Sequence, residues 1–348
     1  MATTITIGLD LAKSVFQVHG VDADGRCTVK RQLKRRKVMA FFTKLPPCLI
    51  GMEACGTAHH WARELGACGH AVKLLPPRDV KAYVRRGKTD AADAEAICEA
   101  VTRPRHKAVP VKSVAQQCAL MLHRGRELLL TQRTQLTNAI RAHMAELGVI
   151  APVGQEGLRW LLGIVIEPAN TALPAAARLA LIPMAAALAA TEAAIGTLTA
   201  EISAGHKSNA ISRRLEAIPG VGPIAASAFT ATVANPRAFQ SGRAFAASLG
   251  LTPRLNGTGG KTTLGPITKQ GDRYLRRLLY IGAIAKLGAV RRRPAKADPW
   301  LLGLLARMPF KQAAIALANK TARIIWALLA RGGTYVANHQ PAAFAAPA

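Results

Sequence analysis

The segment Lys88-Thr89-Asp90-Ala91-Ala92-Asp93-Ala94-Glu95-Ala96 sets two aspartates three positions apart among strong helix formers. Side chains at i and i+3 share a helix face, so Asp90 and Asp93 are expected to project together. Such carboxylates repel one another unless a cation lies between them. Helix capping explains the same residues without a ligand, with Thr89 or Asp90 as N-cap and Asp93 favouring the helix dipole. Residues elsewhere in the chain help to decide between a metal site and helix capping.

The elements ahead of this segment predict a mixed α/β sheet. Strand patterns at residues 3–8, 15–21 and 26–33 form a meander, with a hairpin turn at 22–25. Helical and strand patterns then alternate, with a buried apolar run at 48–52, a strand at 71–75 and a helix from Pro77. This is the element order of the ribonuclease-H-like fold, in which the first and fourth strands lie side by side.

That order brings distant acids together. Asp10 follows the first strand and Glu53 follows the fourth, and the helix with Asp90 and Asp93 could complete a cluster of four. Mg²⁺ prefers carboxylate and phosphate oxygens, and two ions about 4 Å apart would clamp a reacting phosphodiester. Structural explanations exist for each acid: Asp10 could cap a turn, and Glu53 could be a surface acid. A chance match of all four acids to the metal positions of one fold is less expected than a structural explanation for any one of them.

The charge balance indicates a polyanionic partner. Lys and Arg number 47 against 19 Asp and Glu, a formal net charge of +28. A folded chain with this surplus repels itself, and nucleic acid relieves the repulsion through counterion release. The basic residues are spread through folded-looking segments, which argues against an anionic membrane as the partner. Near the acids, Arg85, Arg86 and Lys88 are candidates for phosphate contacts.

The remaining composition argues for a cytoplasmic protein. Six cysteines all lie within the first 118 residues without a CxxC pair, so they are interpreted as small apolar residues in a reducing compartment. The N-terminus has no secretory signal pattern. The Ala-rich run at 173–200 is too weakly hydrophobic to predict a membrane span, and no membrane partner is expected.

Several short motifs occur in a family-specific order along nearly the whole chain. The motifs are IGLDLAK (7–13), MEACGT (52–57), KTDAADA (88–94), IPGVGP (218–223), GLTPR (250–254), GGK (259–261) and ITKQGD (267–272). Together they resemble the insertion-sequence-110 family of transposases, and the last two resemble its insertion-sequence-1111 group.

The resemblance implies an RNA-guided DNA recombinase. It implies a RuvC-like domain at residues 1–110, whose DEDD acids match Asp10, Glu53, Asp90 and Asp93 and bind Mg²⁺, with two ions expected and Mn²⁺ as a substitute. A helical or coiled-coil linker and oligomerisation segment (111–205), a mostly α transposase domain (206–337) and a flexible tail (338–348) follow. The implied partners are donor and target double-stranded DNA, a structured noncoding guide RNA (bridge or seeker RNA), and further copies of the chain in a dimer or tetramer.

Long helices are predicted in the middle of the chain. One stripe over 113–148 includes Val114, Met121, Leu128 and Ile140, and a second segment has Leu181, Leu188, Ile195 and Ile202 at sevens. This spacing suggests a coiled coil, either as a hairpin with the first helix or between protomers, and a helical bundle core within one chain explains it equally.

The C-terminal part has the charge balance of a DNA-facing domain. After His206 it contains three acidic residues against about twenty Lys and Arg. Residues 213–229 resemble a helix-hairpin-helix, whose glycines let backbone N–H groups approach phosphate, and a helical hairpin without a ligand is the alternative. The predicted nucleic-acid contacts here are Gly220, Gly222, Arg254, Lys261, Lys269, Arg273, Arg276 and Arg277.

One departure from the family concerns its nucleophilic serine, which forms a phosphoserine link. The loop expected to carry this serine, residues 254–261, contains no serine. Aligned on the family's motifs, the serine position falls on Gly257 or, shifted by one, on Thr258. A threonine hydroxyl can attack phosphorus once metal or a base activates it. Thr258 as nucleophile, an element without covalent chemistry, and a deliberate knockout all remain open. The corresponding functions are a transposase, a Mg²⁺-dependent junction nuclease using water, and an inactive nucleic-acid-binding scaffold.

Overall fold

The computed structural model describes residues 4–84, 89–104, 106–296 and 298–337. The chain divides into two compact units, residues 1–114 and 115–348, each with hydrophobic cores of its own. The predicted division of the second part into a linker segment and a transposase domain stays a prediction, and the predicted tail at 338–348 lies outside the described residues.

The first unit contains a five-stranded mixed sheet. Its strands are β1 (Thr6–Asp10), β2 (Val15–Val21), β3 (Cys27–Lys34), β4 (Leu49–Glu53) and β5 (Ala71–Leu75). Its helices are α1 (Val38–Phe42), α2 (Ala58–Ala67), α3 (Pro77–Lys81) and α4 (Asp90–Thr102), with a 3₁₀ turn at Arg35–Lys37.

The sheet has the strand order β3-β2-β1-β4-β5. β1 pairs antiparallel with β2 and parallel with β4, and its register with β4 runs from Thr6 opposite Leu49 to Leu9 opposite Met52. The prediction that the first and fourth strands are neighbours is therefore confirmed. Ile7, Leu9, Ile50 and Met52 are buried, which is the burial that an inner pair of parallel strands demands.

Two glycines let α4 lie directly on the sheet. A Cβ atom added to Gly8 would lie 2.0 Å from the carbonyl oxygen of Ala94, and one added to Gly51 would lie 2.7 Å from Cβ of Val101. No larger residue allows this approach without a shift of the helix. The contact of Gly8 with Ala94 brings the first turn of α4 to the end of β1.

The second unit is mostly helical. Its helices are α5 (Val114–Ala145), which starts at the boundary, α6 (Gln155–Ile166), α7 (Ala175–Ser208), α8 (Ala210–Glu216), α9 (Pro223–Thr232), α10 (Gly242–Ser248), α11 (Arg273–Arg292), α12 (Pro299–Arg307) and α13 (Phe310–Arg331). Two strands, β6 (Pro253–Thr258) and β7 (Lys261–Ile267), form a separate antiparallel pair, and 3₁₀ turns occupy Pro236–Ala238 and Pro294–Lys296. The interpretation of residues 254–261 as a loop is wrong, because they form most of this hairpin.

The heptad residues of α7 face inward. Leu181, Leu188, Ile195 and Ile202 are all buried, and the first two pack in one core with α6 and with Ile140 of α5. These contacts lie within one chain, and both the helical hairpin with α5 and the bundle core predict them. The predicted stripe of α5 behaves differently, since Val114, Met121 and Leu128 are exposed.

Two helices pass a test of length and apolar composition for a membrane span, Ala175–Ser208 and Phe310–Arg331. Both supply side chains to hydrophobic cores of the second unit, for example Leu188 and Ile325. Length and apolar composition alone are therefore weak evidence that either helix spans a membrane.

Candidate metal centre and nucleic-acid interface

The four predicted acids come from three neighbouring elements of the first unit. Asp10 is the last residue of β1 and Glu53 the last of β4, so both lie at the carboxyl ends of adjacent parallel strands. Asp90 and Asp93 lie in the first turn of α4. Thr89 is the N-cap, with its side-chain oxygen accepting the backbone N–H of Ala92 at 3.3 Å. Since Thr89 caps the helix, that role is not needed from Asp90.

The acids act on one another electrostatically. The pKa of Asp10 is raised from 3.8 to about 6, chiefly because the carboxyl is half-buried and then because of the charges of Asp93, Asp90 and Glu53. The backbone N–H of Leu11 opposes this shift by donating to the carboxylate. The charges of all three other acids therefore act on Asp10, while the convergence of the four carboxylates on one metal site stays a prediction.

Coordination geometry is a stricter condition than mutual charge. Within residues 4–84, 89–104, 106–296 and 298–337, no three His, Cys, Asp or Glu side chains are grouped closely enough to hold a metal ion. The donor chemistry nevertheless fits a hard divalent cation, because the four candidates are carboxylates and repel one another when ionised. The metal site therefore stays a prediction. Arg85, Arg86 and Lys88 lie outside the described residues.

The predicted helix-hairpin-helix consists of α8, the turn at residues 217–222, and α9. Gly220 has a φ of +90°, and a Cβ added to it would lie 2.8 Å from the carbonyl oxygen of Gly282 in α11. Gly220 is thus required for packing the turn against α11. Gly222 is the N-cap of α9, and a Cβ there would meet open space. Both glycines are exposed, so both remain predicted phosphate contacts.

Strands β6 and β7 form a ribbon joined by Gly259 and Gly260, which have φ values of +55° and +77°. Residues paired across the ribbon share a face, and the face alternates along each strand. One face, here called the polar face, carries the paired residues Asn256, Thr258, Lys261 and Thr263. Arg254 lies at a shift in the strand register, and a Cβ added to Gly265 would be 3.7 Å from both the Arg254 Cβ and the Asn256 Nδ2, so Arg254 shares this face. The other, the leucine face, carries Leu255, Gly257, Thr262 and Leu264. Gly257 and Thr258, the two candidates for the nucleophile position, therefore lie on opposite faces.

The predicted basic contacts differ in availability. Arg254, Lys261, Lys269 and Arg273 are exposed. Arg276 donates hydrogen bonds to the carbonyl oxygens of Leu249 at 2.8 Å and Gln270 at 3.2 Å.

Arg277 is also engaged within the second unit. It forms an ion pair with Glu127 at 3.0 Å and its guanidinium lies over the ring of Tyr274. Arg276 and Arg277 thus have structural contacts that no pattern in the sequence predicts. All six basic residues remain predicted nucleic-acid contacts.

A buried polar junction in the second unit was not found from the sequence. His123 of α5 is 1% exposed and hydrogen-bonds to the hydroxyls of Tyr274 at 2.9 Å and Ser227 at 3.1 Å. Burial, and secondarily Arg126, lowers the pKa of His123 to about 4, while burial raises the pKa of Tyr274 to about 12. The junction ties α5 to α9 and α11. Its members are too far apart in the chain to form a motif.

Comparisons with known proteins agree on one family. A family model described as "Transposase IS116/IS110/IS902 family" matches residues 212–298, and a model for IS110-type DEDD transposases matches residues 7–148, which include all four acids.

Relatives match over nearly the full chain. A probable family 20 transposase from Pseudomonas aeruginosa is 48% identical over 330 residues, covering 94% of this chain and 98% of the relative. A transposase for insertion sequence element IS1111A from Coxiella burnetii is 36% identical, covering 94% and 90%. One for IS1328 from Yersinia enterocolitica is 34% identical, covering 96% and 99%.

Proposed function

Since the chain belongs to the IS116/IS110/IS902 family of transposases, we propose that it is an RNA-guided recombinase that cleaves and rejoins donor and target DNA strands with a DEDD metal centre. A transposase acts on DNA, and the mixed sheet with a helical C-terminal region is consistent with a DEDD nuclease-like domain. The single observation that carries the metal centre is the action of Asp93, Asp90 and Glu53 on the pKa of Asp10.

The first unit supplies the metal-binding acids in this proposal. Its strand order β3-β2-β1-β4-β5, with Asp10 and Glu53 at the ends of adjacent strands, supports a ribonuclease-H-like, RuvC-like domain. Asp10, Glu53, Asp90 and Asp93 would hold two Mg²⁺ ions, for which Mn²⁺ can substitute. Such ions stabilise charge on the attacking and leaving oxygens of a phosphodiester. Asp10 must be ionised to bind metal, and its pKa is raised to about 6, so binding weakens as the pH falls towards 6.

Thr258 is the proposed nucleophile. Its oxygen would form a bond to phosphorus as the bond from phosphorus to the leaving DNA hydroxyl breaks, with the proton of Thr258 passing to a base and the leaving oxygen taking up a proton. Two observations support it: Thr258 is exposed, and its cross-strand partner is Lys261, whose charge attracts phosphate. Gly257 has no side chain with which to attack.

The partners follow from charge and from exposed surface. A net charge of +28 suits double-stranded donor and target DNA together with a structured guide RNA. The exposed apolar residues Val114, Met121 and Leu128 on α5 support contacts between copies of the chain in a dimer or tetramer. The proposed location is the cytoplasm.

Glycine at residue 257 favours a second candidate, a Mg²⁺-dependent junction nuclease in which water attacks and no protein–DNA link forms. The ungrouped side chains of the described acids favour a third, a nucleic-acid-binding scaffold without catalysis.

One experiment separates the three. The full chain is incubated with guide RNA transcribed from the flanks of its gene, donor and target DNA, and Mg²⁺ or Mn²⁺, and is then denatured. A covalent protein–DNA adduct that Asp93→Asn fails to form supports the recombinase. Metal-dependent nicking without an adduct selects the nuclease. Tight RNA binding without cleavage in either metal selects the scaffold and refutes the proposed reaction.

A further inference from the structure

The β6–β7 ribbon is exposed along most of its length. Residues 253–264 are all exposed, and the paired leucines Leu255 and Leu264 are 71% and 72% exposed. An isolated two-stranded ribbon is marginally stable in water, so a partner surface would stabilise this one. The ribbon, residues 253–267, contains two cations and no Asp or Glu. Charge complementarity therefore selects an anionic partner.

The two faces differ in what they offer to such a partner. The polar face has a guanidinium, an amide, two hydroxyls and an ammonium (Arg254, Asn256, Thr258, Thr263 and Lys261). Within the described part of the chain, neither the Arg254 guanidinium nor the Asn256 amide has a hydrogen-bond partner. Thr263 donates its hydroxyl to the backbone carbonyl of Asn256 at 3.2 Å, which helps to hold the strand pair.

We propose that the polar face of the ribbon lies in the major groove of B-form DNA, where Arg254 and Asn256 read base edges. The inference rests on the proposed function, since it takes DNA as the substrate. The major groove of B-DNA is about 12 Å wide and admits a two-stranded ribbon. The major groove of A-form RNA is too narrow for side chains to read, so the duplex read by the ribbon is DNA.

The two side chains have the chemistry for direct readout. An arginine donates two parallel hydrogen bonds to O6 and N7 of guanine, and an asparagine pairs in the same bidentate way with N6 and N7 of adenine. Lys261, at the tip of the same face, contacts phosphate without reading sequence. Thr258 then faces the same duplex, beside Lys261. The ribbon thus adds a sequence preference at two positions to whatever the guide RNA specifies.

The leucine face turns away from the bases in this arrangement. Leu255 and Leu264 are directly opposed across the strands, where an apolar pair stabilises the ribbon. They serve as the matched control for the test, because they lie on the same ribbon and are exposed, as Arg254 and Asn256 are.

The test measures sequence preference without chemistry. The full chain, in buffer containing EDTA, selects duplexes from a pool of random DNA, and the bound fraction is sequenced. The variants are Arg254→Ala, Asn256→Ala, Lys261→Ala and the pair Leu255→Thr with Leu264→Thr, each accepted only with an unchanged melting temperature.

The expected result is position-specific. The wild type prefers G at one position and A at another, and Arg254→Ala and Asn256→Ala each lose one of these preferences, with affinity for the preferred duplex falling roughly 5- to 150-fold. Lys261→Ala weakens all duplexes alike, and the leucine variant keeps both preferences. A wild type without preference, unchanged preferences in both polar-face variants, or loss of preference in the leucine variant would overturn the inference. Strand cleavage in Mg²⁺, assayed separately, reports on the proposed function alone.

Discussion

Gly8 in β1 and Gly51 in β4 are paired in register, and helix α4 lies against both of them. A Cβ atom added to either glycine would collide with α4. The distance between α4 and the sheet is therefore set by the absence of side chains at these two positions. Because Ala94 lies over Gly8, Asp93 and Asp90 are carried to the end of the strand at which Asp10 lies. A packing requirement therefore places the helix that carries Asp90 and Asp93 at the end of the strand that carries Asp10.

Replacing Gly8 by alanine should destabilise the first unit and disperse the acids. A Cβ would lie 2.0 Å from the Ala94 carbonyl oxygen and 2.4 Å from the Cys98 backbone nitrogen, so the helix must move. We expect a loss of about 3 kcal/mol or more in the free energy of unfolding, measured by denaturant titration. Gly66→Ala in α2 is the control: a Cβ there meets nothing within 4 Å, and it should stabilise by about 0.5–1 kcal/mol. Equal stabilities for the two variants would contradict the packing argument.

Asp10→Asn should raise the melting temperature in EDTA while abolishing metal-dependent cleavage. The folded-state pKa of Asp10 is raised to about 6, so the group favours folding below pH 4 and this contribution is lost as the pH rises through 6. At pH 7.5 the ionised carboxylate is destabilised first by its partial burial and then by repulsion from its neighbours, and the amide removes both effects. Thermal unfolding with and without Mn²⁺ provides the measurement.

In the same thermal unfolding measurement, Mn²⁺ should raise the melting temperature of the wild type but not that of Asp10→Asn. Asp24→Asn breaks an exposed ion pair with Arg26. It should leave the melting temperature in EDTA and the stabilisation by Mn²⁺ nearly unchanged. A metal-induced shift that survives in Asp10→Asn would remove Asp10 from the metal centre.

Thr258→Val should abolish the covalent adduct, because it removes the hydroxyl and keeps the shape. Loss of a nucleophile lowers the rate by roughly 10³-fold or more. Thr262→Val, on the leucine face of the same ribbon, is the matched control and should form the adduct normally. Adduct yield is measured by denaturing gel electrophoresis with labelled DNA. If both variants react like the wild type, Thr258 is not the nucleophile.

Gly257→Ser tests the other alignment of the missing serine. A Cβ at Gly257 meets nothing closer than 3.7 Å, so a serine fits without strain. It would point to the leucine face, opposite Thr258. Adduct formation that increases in Gly257→Ser and persists when Thr258 is also replaced by valine would assign the chemistry to the leucine face.

His123 should make the free energy of unfolding depend on pH in the acidic range. Its pKa is about 4 in the folded chain and 6.5 ordinarily, so the unfolded state binds more protons between these values. Stability is therefore lost as the pH falls from 6.5 to 4, by up to about 3 kcal/mol. His123→Gln removes this dependence, so its unfolding free energy should converge with that of the wild type at low pH. His143→Gln, exposed on the same helix, should run parallel to the wild type across the range.

The features predicted from sequence are those with local signals. Element order predicted that β1 and β4 are neighbours, and helix formers predicted the start of α4 near Asp90. The ribbon was missed because its residues are exposed, so no apolar alternation marks its strands. The contact of Gly220 with Gly282 was also missed, since each residue looks like an ordinary turn or helix glycine by itself.

By itself, the sequence determined which acids, cations and hydroxyls the chain possesses, in what order its strands and helices occur, and to which family it belongs, because these depend on residue identity and local periodicity. Only the tertiary structure decided that Gly257 and Thr258 face opposite sides of a ribbon, that His123 is sealed against Tyr274 and Ser227, and that two glycines seat α4 beside Asp10. Strand register and close packing join residues far apart in the chain, and no local pattern encodes the distances between them.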